Sequence, residues 1–363
     1  MPLRSPTLNV MANAALKAAR GLLRDFGEVE QLQVSIKGPG DFVSAADIKT
    51  ERTLKNELTR ARPGYGLLFE EGGAEPGTDS RHRWIVDPLD GTTNFLHGIP
   101  HFAISIALER DGEIIAGLIY DPVRDEMYSA EKGFGAFLND RRLRVSARRQ
   151  LSEAVIGTGM PFSGRGDTAT YLNTLSAVMA ATSGVRRMGA AALDLAYVAA
   201  GRFDGFWEFA LSPWDVAAGL LIVREAGGYV SDLSGGHTML TSGDVLAAND
   251  HLHLPLAALI REALRSGRAA SQAGFRKEKS SEFDLDYRSL IVSGASGTLD
   301  LAALENPARW RLVADLGVMR LGVGSNMHFV LGPRNPRPAL NPEPGKVSRA
   351  STLPTGACGG AVP

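Results

Sequence analysis

Three β-formers, Trp84-Ile85-Val86, run straight into two carboxylates three residues apart, Asp87-Pro88-Leu89-Asp90, and then into Gly91-Thr92-Thr93-Asn94. The apolar lead reads as a buried strand. Pro88 removes a backbone donor and is expected to end the ladder, while Gly91 permits a tight turn. The product is a strand end with concentrated negative charge and backbone N–H groups just beyond it. Carboxylates crowded into a cleft raise one another's pKa, so they do not all stay ionised unless something offsets the charge. Hard divalent cations with oxygen ligands do this. A fold that displays this run has to bring further elements to the same strand end.

Two other stretches repeat the pattern of an acid at an element boundary. Glu70-Glu71 closes the apolar strand 65–69, and Trp214-Asp215-Val216-Ala217-Ala218-Gly219 precedes Glu225-Ala226-Gly227-Gly228. Together with Asp-Pro-Leu-Asp-Gly-Thr-Thr-Asn-Phe, these three ordered motifs resemble the inositol monophosphatase family. The resemblance spans about residues 5–265 and leaves the last hundred outside it. It implies a layered αβαβα sandwich of the α/β class, with an antiparallel N-terminal sheet and a mixed C-terminal sheet. The expected organisation is 1–150 for a helix pair plus the sheet carrying most metal ligands. Residues 151–267 form an α/β half with the substrate loop and the last ligand, and 268–363 an atypical extension.

Composition bounds the partners. With 44% hydrophobic and 22% charged residues the chain reads as an ordinary soluble globular protein. A formal net charge of −1 gives no bulk attraction to nucleic acid or to a membrane surface. The charge is divided unevenly: residues 266–363 hold 12 Lys+Arg and 8 Asp+Glu, which leaves 27 and 32 for residues 1–265. The single cysteine, Cys358, excludes an intrachain disulfide and a thiolate cluster. No run reaches transmembrane length, no signal-peptide core stands at the N-terminus, and a cytoplasmic location is expected.

The chain then reads in order. Ser5-Pro6 marks a helix start ending at Gly27, and 34–41, with Gly38, Pro39 and Gly40, reads as a loop. Ser44-Ala45-Ala46-Asp47 has capping-box spacing ahead of a second helix that stops at Pro63. Phe102, Ile104, Ile106 and Leu108 alternate as a half-buried strand, Asp111-Gly112 and Asn139-Asp140 mark hairpins, and from Val155 strands alternate with helices. The Trp side chains are expected in packing, and His97 and His101 in loops. Residues 333–363 carry seven prolines and are expected to be disordered.

By resemblance, Glu70, Asp87 and the Leu89 carbonyl hold one Mg²⁺ ion, Asp87, Asp90 and Asp215 a second, and a looser third lies near Glu70. Glu70 and Thr92 orient or deprotonate the attacking water, and Asp47 hydrogen-bonds the threonine; capping alone would also explain Asp47. The N–H groups of Gly91 and Thr92 offer an anion nest. Gly189, Ala190, Ala191 and Glu208 correspond to the part of the family site that touches sugar or inositol hydroxyls, and Arg186 or Arg187 is a further candidate. The implied reaction is Mg²⁺-dependent hydrolysis of a small phosphorylated polyol or sugar, foremost myo-inositol 1-phosphate, by a homodimer. Histidinol-phosphate phosphatase, or another sugar or nucleotide phosphatase, is the alternative within the class. A scaffold or binding protein built on a phosphatase fold is the alternative outside it.

Overall fold

The computed structural model describes residues 5–28, 34–38, 41–161, 167–278, 291–292, 310–315, 318–323 and 328–331. The chain divides into two compact units, Met1–Lys279 and Ser280–Pro363.

In the first unit, α1 (Pro6–Phe26) begins where the Ser5 hydroxyl accepts the Leu8 N–H at 3.1 Å. Leu8, Met11, Ala15, Ala18 and Leu22 form its buried stripe. The stretch expected to be a loop is instead an antiparallel pair, β1 (Val34–Gly38) and β2 (Asp41–Ser44), with Ile36 opposite Phe42. Gly38 ends β1 rather than replacing it. α2 (Ala45–Ala61) opens on a complete capping box: the Ser44 hydroxyl accepts from the helix N–H groups and Asp47 accepts from the Ser44 N–H at 2.9 Å.

An eight-stranded sheet follows, built from β3 (Tyr65–Phe69), β4 (Gly73–Glu75), β5 (Asp79–Asp90), β6 (Ala103–Arg110), β7 (Glu113–Asp121), β8 (Glu126–Glu131), β9 (Gly135–Leu138) and β10 (Arg141–Arg142). A short helix, α3 (Thr92–Leu96), joins β5 to β6. The spatial order is β10-β9-β8-β7-β6-β5-β3-β4. It is antiparallel apart from β3 and β5, which run parallel. Asp111 and Gly112, both at positive φ, make the β6–β7 hairpin. β6 is buried on both faces, not one: Ile104 and Ile106 pack toward α1 and α2, Ala103 and Ala107 toward the opposite core. The small residues between the large ones mark a second packed layer rather than solvent.

The second half consists of β11 (Val155–Thr158), α4 (Thr168–Ala181), β12 (Gly184–Arg186), α5 (Ala191–Ala199), β13 (Gly205–Glu208), α6 (Pro213–Glu225), β14 (Tyr229–Ser231), α7 (Met239–Ser242), β15 (Val245–Ala248) and α8 (His253–Glu278). Its sheet, β12-β11-β13-β15-β14, is mixed: β11 is parallel to β12 and β13, while β15 is antiparallel to β13 and β14. Three cores separate five layers. One lies between α1–α2 and the large sheet, one holds α5–α6 between the two sheets, and one lies between the small sheet and α4–α8. This is an αβαβα sandwich. Trp84 and Trp207 are fully buried in it.

In the second unit β16 (Ile291–Val292), β17 (Trp310–Asp315), β18 (Val318–Val323) and β19 (His328–Leu331) form an antiparallel sheet in the order β16-β19-β18-β17. The expectation of disorder over 333–363 lies outside the described residues. Among the described residues no helix is long and apolar enough to cross a membrane.

Candidate active site

The parallel pairing of β3 with β5 sets the geometry. Phe69 is opposite Val86, so Glu70 and Asp87 leave the same end of neighbouring strands. β5 does not stop at Pro88: it shifts register between Asp87 and Asp90 and resumes with Asp90 opposite Ala103. The proline occupies the irregularity, where no ladder donor is required. Asp87 and Leu89 are buried, and the Leu89 N–H donates to Asp87 Oδ1 at 2.8 Å. Gly91 follows at φ 92° and caps α3. A Cβ there would meet the His101 carbonyl at 3.1 Å and Ala190 Cβ at 3.3 Å, so glycine allows the motif to close on the 189–190 loop.

The other half of the molecule delivers the remaining groups. α6 starts two residues earlier than its acid: Asp215 is the third helical residue, and Asp215 Oδ2 accepts the Ser212 N–H at 2.7 Å. α6 lies tight on the large sheet because Gly117 of β7 has no side chain; a Cβ would be 2.8 Å from the Ala218 carbonyl oxygen. The N-terminus of α5 meets Asp90 Oδ2, which accepts the Ala192 N–H at 2.8 Å. Thr158 pairs with Trp207, which sets Gly159 beside Glu208 at the end of β13.

These residues line one cavity of about 320 Å³. Glu70, Asp87, Leu89, Asp90, Gly91, Thr92, Gly189, Ala190, Ala191, Glu208 and Asp215 all face it, together with Thr93, Gly159, Met160, Arg187 and Leu211. Asp47 stands behind the wall. Thr92 Oγ1 lies 3.1 Å from Asp47 Oδ1 and 3.0 Å from the Leu89 carbonyl. One hydroxyl proton serves only one of these acceptors at a time, so Asp47 and Leu89 compete for it. Of the two arginines considered from sequence, Arg187 lines the cavity, whereas exposed Arg186 donates to its neighbouring Val185 carbonyl.

Two residues assigned no role from sequence stand out. Asn94 ties the halves together, its Nδ2 donating to the His101 carbonyl at 2.8 Å and the Met188 carbonyl at 2.9 Å. Its signal was its place at the end of the Asp-Gly-Thr-Thr-Asn run. Asp194 is buried in α5 with neither carboxyl oxygen hydrogen-bonded. Its signal was a lone acid among the apolar residues of that helix.

The electrostatics follow from burial. Burial drives the Asp87 carboxyl well above the usual range, and Glu70, Asp90 and Asp215 add to the rise. Burial, then Asp215, pushes Asp90 up to about 8 against the hydrogen bond from Ala192. Asp194 is also raised by burial, then by Glu208 and Asp90. Such a set accommodates its charge by taking protons or a cation. Among the described residues no group of three or more His, Cys, Asp or Glu is arranged as a ready-made metal site. Single oxygens of Asp87, Asp90 and Asp215 are occupied by backbone N–H groups. The donor chemistry, carboxylates and a carbonyl with no nitrogen or sulfur, fits a hard divalent cation.

Comparison with known proteins points to one family. The model of the inositol monophosphatase family matches residues 3–266. The inositol-1-monophosphatase of Mesorhizobium japonicum is 63% identical over 261 residues, covering 72% of this chain and 98% of its own. The Nus factor SuhB of Pseudomonas aeruginosa is 46% identical over 248 residues, covering 67% and 92%. Among solved structures, the extragenic suppressor protein suhB from Bartonella henselae superposes with a TM-score of 0.69 at 58% identity, covering 70% of this chain and 98% of its own.

Proposed function

The chain belongs to the inositol monophosphatase family and is a phosphatase; on that premise we propose that it hydrolyses myo-inositol 1-phosphate to inositol and phosphate with Mg²⁺. The observation that carries the reading is the convergence of five carboxylates, Glu70, Asp87, Asp90, Glu208 and Asp215, on one cavity beside the Gly91–Thr92 turn. Glu70, Asp87, the Leu89 carbonyl, Asp90 and Asp215 would hold two to three ions. Bound there, the ions supply Lewis acidity, which offsets charge on the phosphate and the leaving oxygen and makes water a nucleophile near neutral pH.

The chain's own residues do the rest. Glu70 and the Thr92 hydroxyl orient a water molecule, and Asp47, hydrogen-bonded to Ser44 and within 3.1 Å of Thr92, sets the direction of that hydroxyl. The left-handed turn at Gly91, entering helical Thr92, is the backbone conformation that forms an anion nest for phosphate oxygens. Glu208 accepts hydrogen bonds from hydroxyls of the polyol, and Gly189, Ala190 and Ala191 line the wall that its ring touches. No side-chain nucleophile is invoked, so no covalent intermediate forms. The family premise also carries a homodimer, and we infer a cytoplasmic location and three regions, 1–150, 151–267 and 268–363, the last outside the family match.

A second reading, a binding role alongside catalysis, draws on the relative named Nus factor SuhB. The test measures phosphate release by the purified full chain, with and without Mg²⁺, from inositol 1-phosphate and histidinol phosphate in parallel. Mg²⁺-dependent release with preference for the inositol ester is expected. Preference for histidinol phosphate would replace the substrate, and release from neither would refute the reading. Normal cellular function of an inactive Asp90→Asn variant would favour the binding role.

A further inference from the structure

We propose that Arg187 is a specificity-determining residue that binds a second phosphate carried by the substrate, in addition to the one being hydrolysed. The inference rests on the phosphatase reading and extends it to polyol bisphosphates.

Among the described residues lining the active-site cavity, Arg187 is the one cation, facing five carboxylates. Several arginines elsewhere in this unit are tied to acids, Arg124 to Asp121, Arg148 to Asp204 and Arg202 to Glu126. Arg187 makes no hydrogen bond or salt bridge to a described residue. Its guanidinium lies over the substrate loop, since a Cβ at Gly189 would sit 2.9 Å from Arg187 Nη1. Gly189, at φ 87°, lacks that carbon and leaves the position open to the guanidinium. The position is electrostatically coupled to the site: Arg187 opposes the rise in pKa at Asp194 and Tyr171.

The space beyond Arg187 supports the same assignment. A neighbouring cavity of about 430 Å³, walled by Tyr171, Leu175, Met179 and Val185, shares Met160 and Arg187 with the active-site cavity. A substrate anchored by its scissile phosphate among the carboxylates can therefore extend toward Arg187, which borders both cavities. A planar guanidinium with unpaired donors suits a phosphate dianion, which it binds through paired N–H groups. Cations that neutralise the carboxylates would leave Arg187 to act on the distal group.

The experiment compares kcat/KM for inositol 1,4-bisphosphate and inositol 1-phosphate, with Mg²⁺, in the full chain and in its Arg187→Met and Arg187→Lys variants. The readout is the ratio of the two values. Arg187→Met is expected to lower the ratio about 10- to 100-fold, chiefly through KM for the bisphosphate, and Arg187→Lys to recover part of it. A ratio that stays within about threefold of wild type, or a wild type that hydrolyses the monophosphate but not the bisphosphate, overturns the proposal and leaves the phosphatase reading intact. Equal losses on both esters would assign Arg187 to the scissile phosphate instead and overturn it as well. No release from either ester by the wild type would refute the underlying phosphatase reading. Arg187 is exposed, so thermal melts of both variants should match the wild type.

Discussion

Replacing Gly159 by alanine puts a methyl carbon where the Glu208 carboxylate now lies. The new Cβ would be 1.9 Å from both Glu208 Cδ and Oε1, and 2.2 Å from Oε2. Ordinary contact is about 3.5 Å, so the carboxylate must retreat by roughly 1.5 Å. It can do so cheaply, because Glu208 is half-buried at a strand end and the clash falls on the tip of a flexible side chain. Gly159 has no positive φ, so the backbone accepts alanine. The loss of unfolded-chain entropy on Gly→Ala contributes about 0.4–1 kcal/mol of stability, which offsets the cost of moving the side chain. Net stability should change by less than about 1 kcal/mol, a Tm shift of a few degrees at this size. Catalysis should respond more strongly. A hydrogen bond from a substrate hydroxyl to an ionised carboxylate contributes about 1.5–3 kcal/mol, so losing its alignment should lower kcat/KM by about 10- to 100-fold. Steady-state phosphate release from inositol 1-phosphate, with melts of Gly159→Ala, Glu208→Gln and the double variant, tests the argument. The two effects should be strongly non-additive, since both remove the same contact. A kcat/KM within twofold of wild type for Gly159→Ala would refute the role given to Glu208. A collapse in Tm would refute the claim that the Glu208 side chain relieves the clash at low cost.

Other perturbations separate the roles of neighbouring residues. Gly117→Ala drives a Cβ against the Ala218 backbone at 2.8 Å, which cannot swing aside; a loss of about 1–3 kcal/mol is expected in urea unfolding. Asp47→Asn should lower kcat by about 100-fold or more through the Thr92 hydroxyl, with a stability loss near the ~1 kcal/mol of a weakened cap; an unchanged kcat would leave Asp47 a capping residue only. His101 is buried with neither ring nitrogen hydrogen-bonded, and burial, aided by Arg124, pushes it down to about 4. Its folded pKa lies below the unfolded value of about 6.5, so its contribution is complete above that pH and is lost as pH falls toward about 4. His101→Phe should therefore recover about 2–3 kcal/mol of the stability lost between pH 7 and 4.5, and equal pH dependence in the two proteins would contradict this. Deleting Ser280–Pro363 should leave the melt and turnover of Met1–Lys279 unchanged, because the two parts are separate compact units; a lower Tm would show dependence on the tail.

Much of the site could be read from local sequence because its constraints are local. An apolar strand ending in Asp87-Pro88-Leu89-Asp90-Gly91 has few uses other than presenting oxygen atoms and a turn, and the capping box at Ser44–Asp47 is a spacing rule within one helical turn. The hairpins at Asp111-Gly112 and Asn139-Asp140 announce themselves through residues that tolerate positive φ. Where the reading failed, pairing with a distant partner overrode the local signal. Pro88 was expected to end β5, but the register break opposite β6 accommodates it. Residues 34–41 were expected to be a loop, but each short strand is stabilised by the other.

Short ordered motifs in the sequence therefore pointed to the family, and that resemblance implied the layered architecture and named the acids that the structure gathers around one cavity. Tertiary structure decided which residues meet. Gly117 lets α6 lie close enough to bring Asp215 to the sheet edge, and Gly159 leaves the volume that Glu208 fills. Asn94 joins the central motif to the 188–189 loop, and Arg187 rather than Arg186 reaches the cavity. The roles of Gly117, Gly159 and Arg187 have no local signature, because each depends on an atom absent from one residue or a side chain reaching another many positions away. Only the packing of two sheets around α5 and α6 sets those distances.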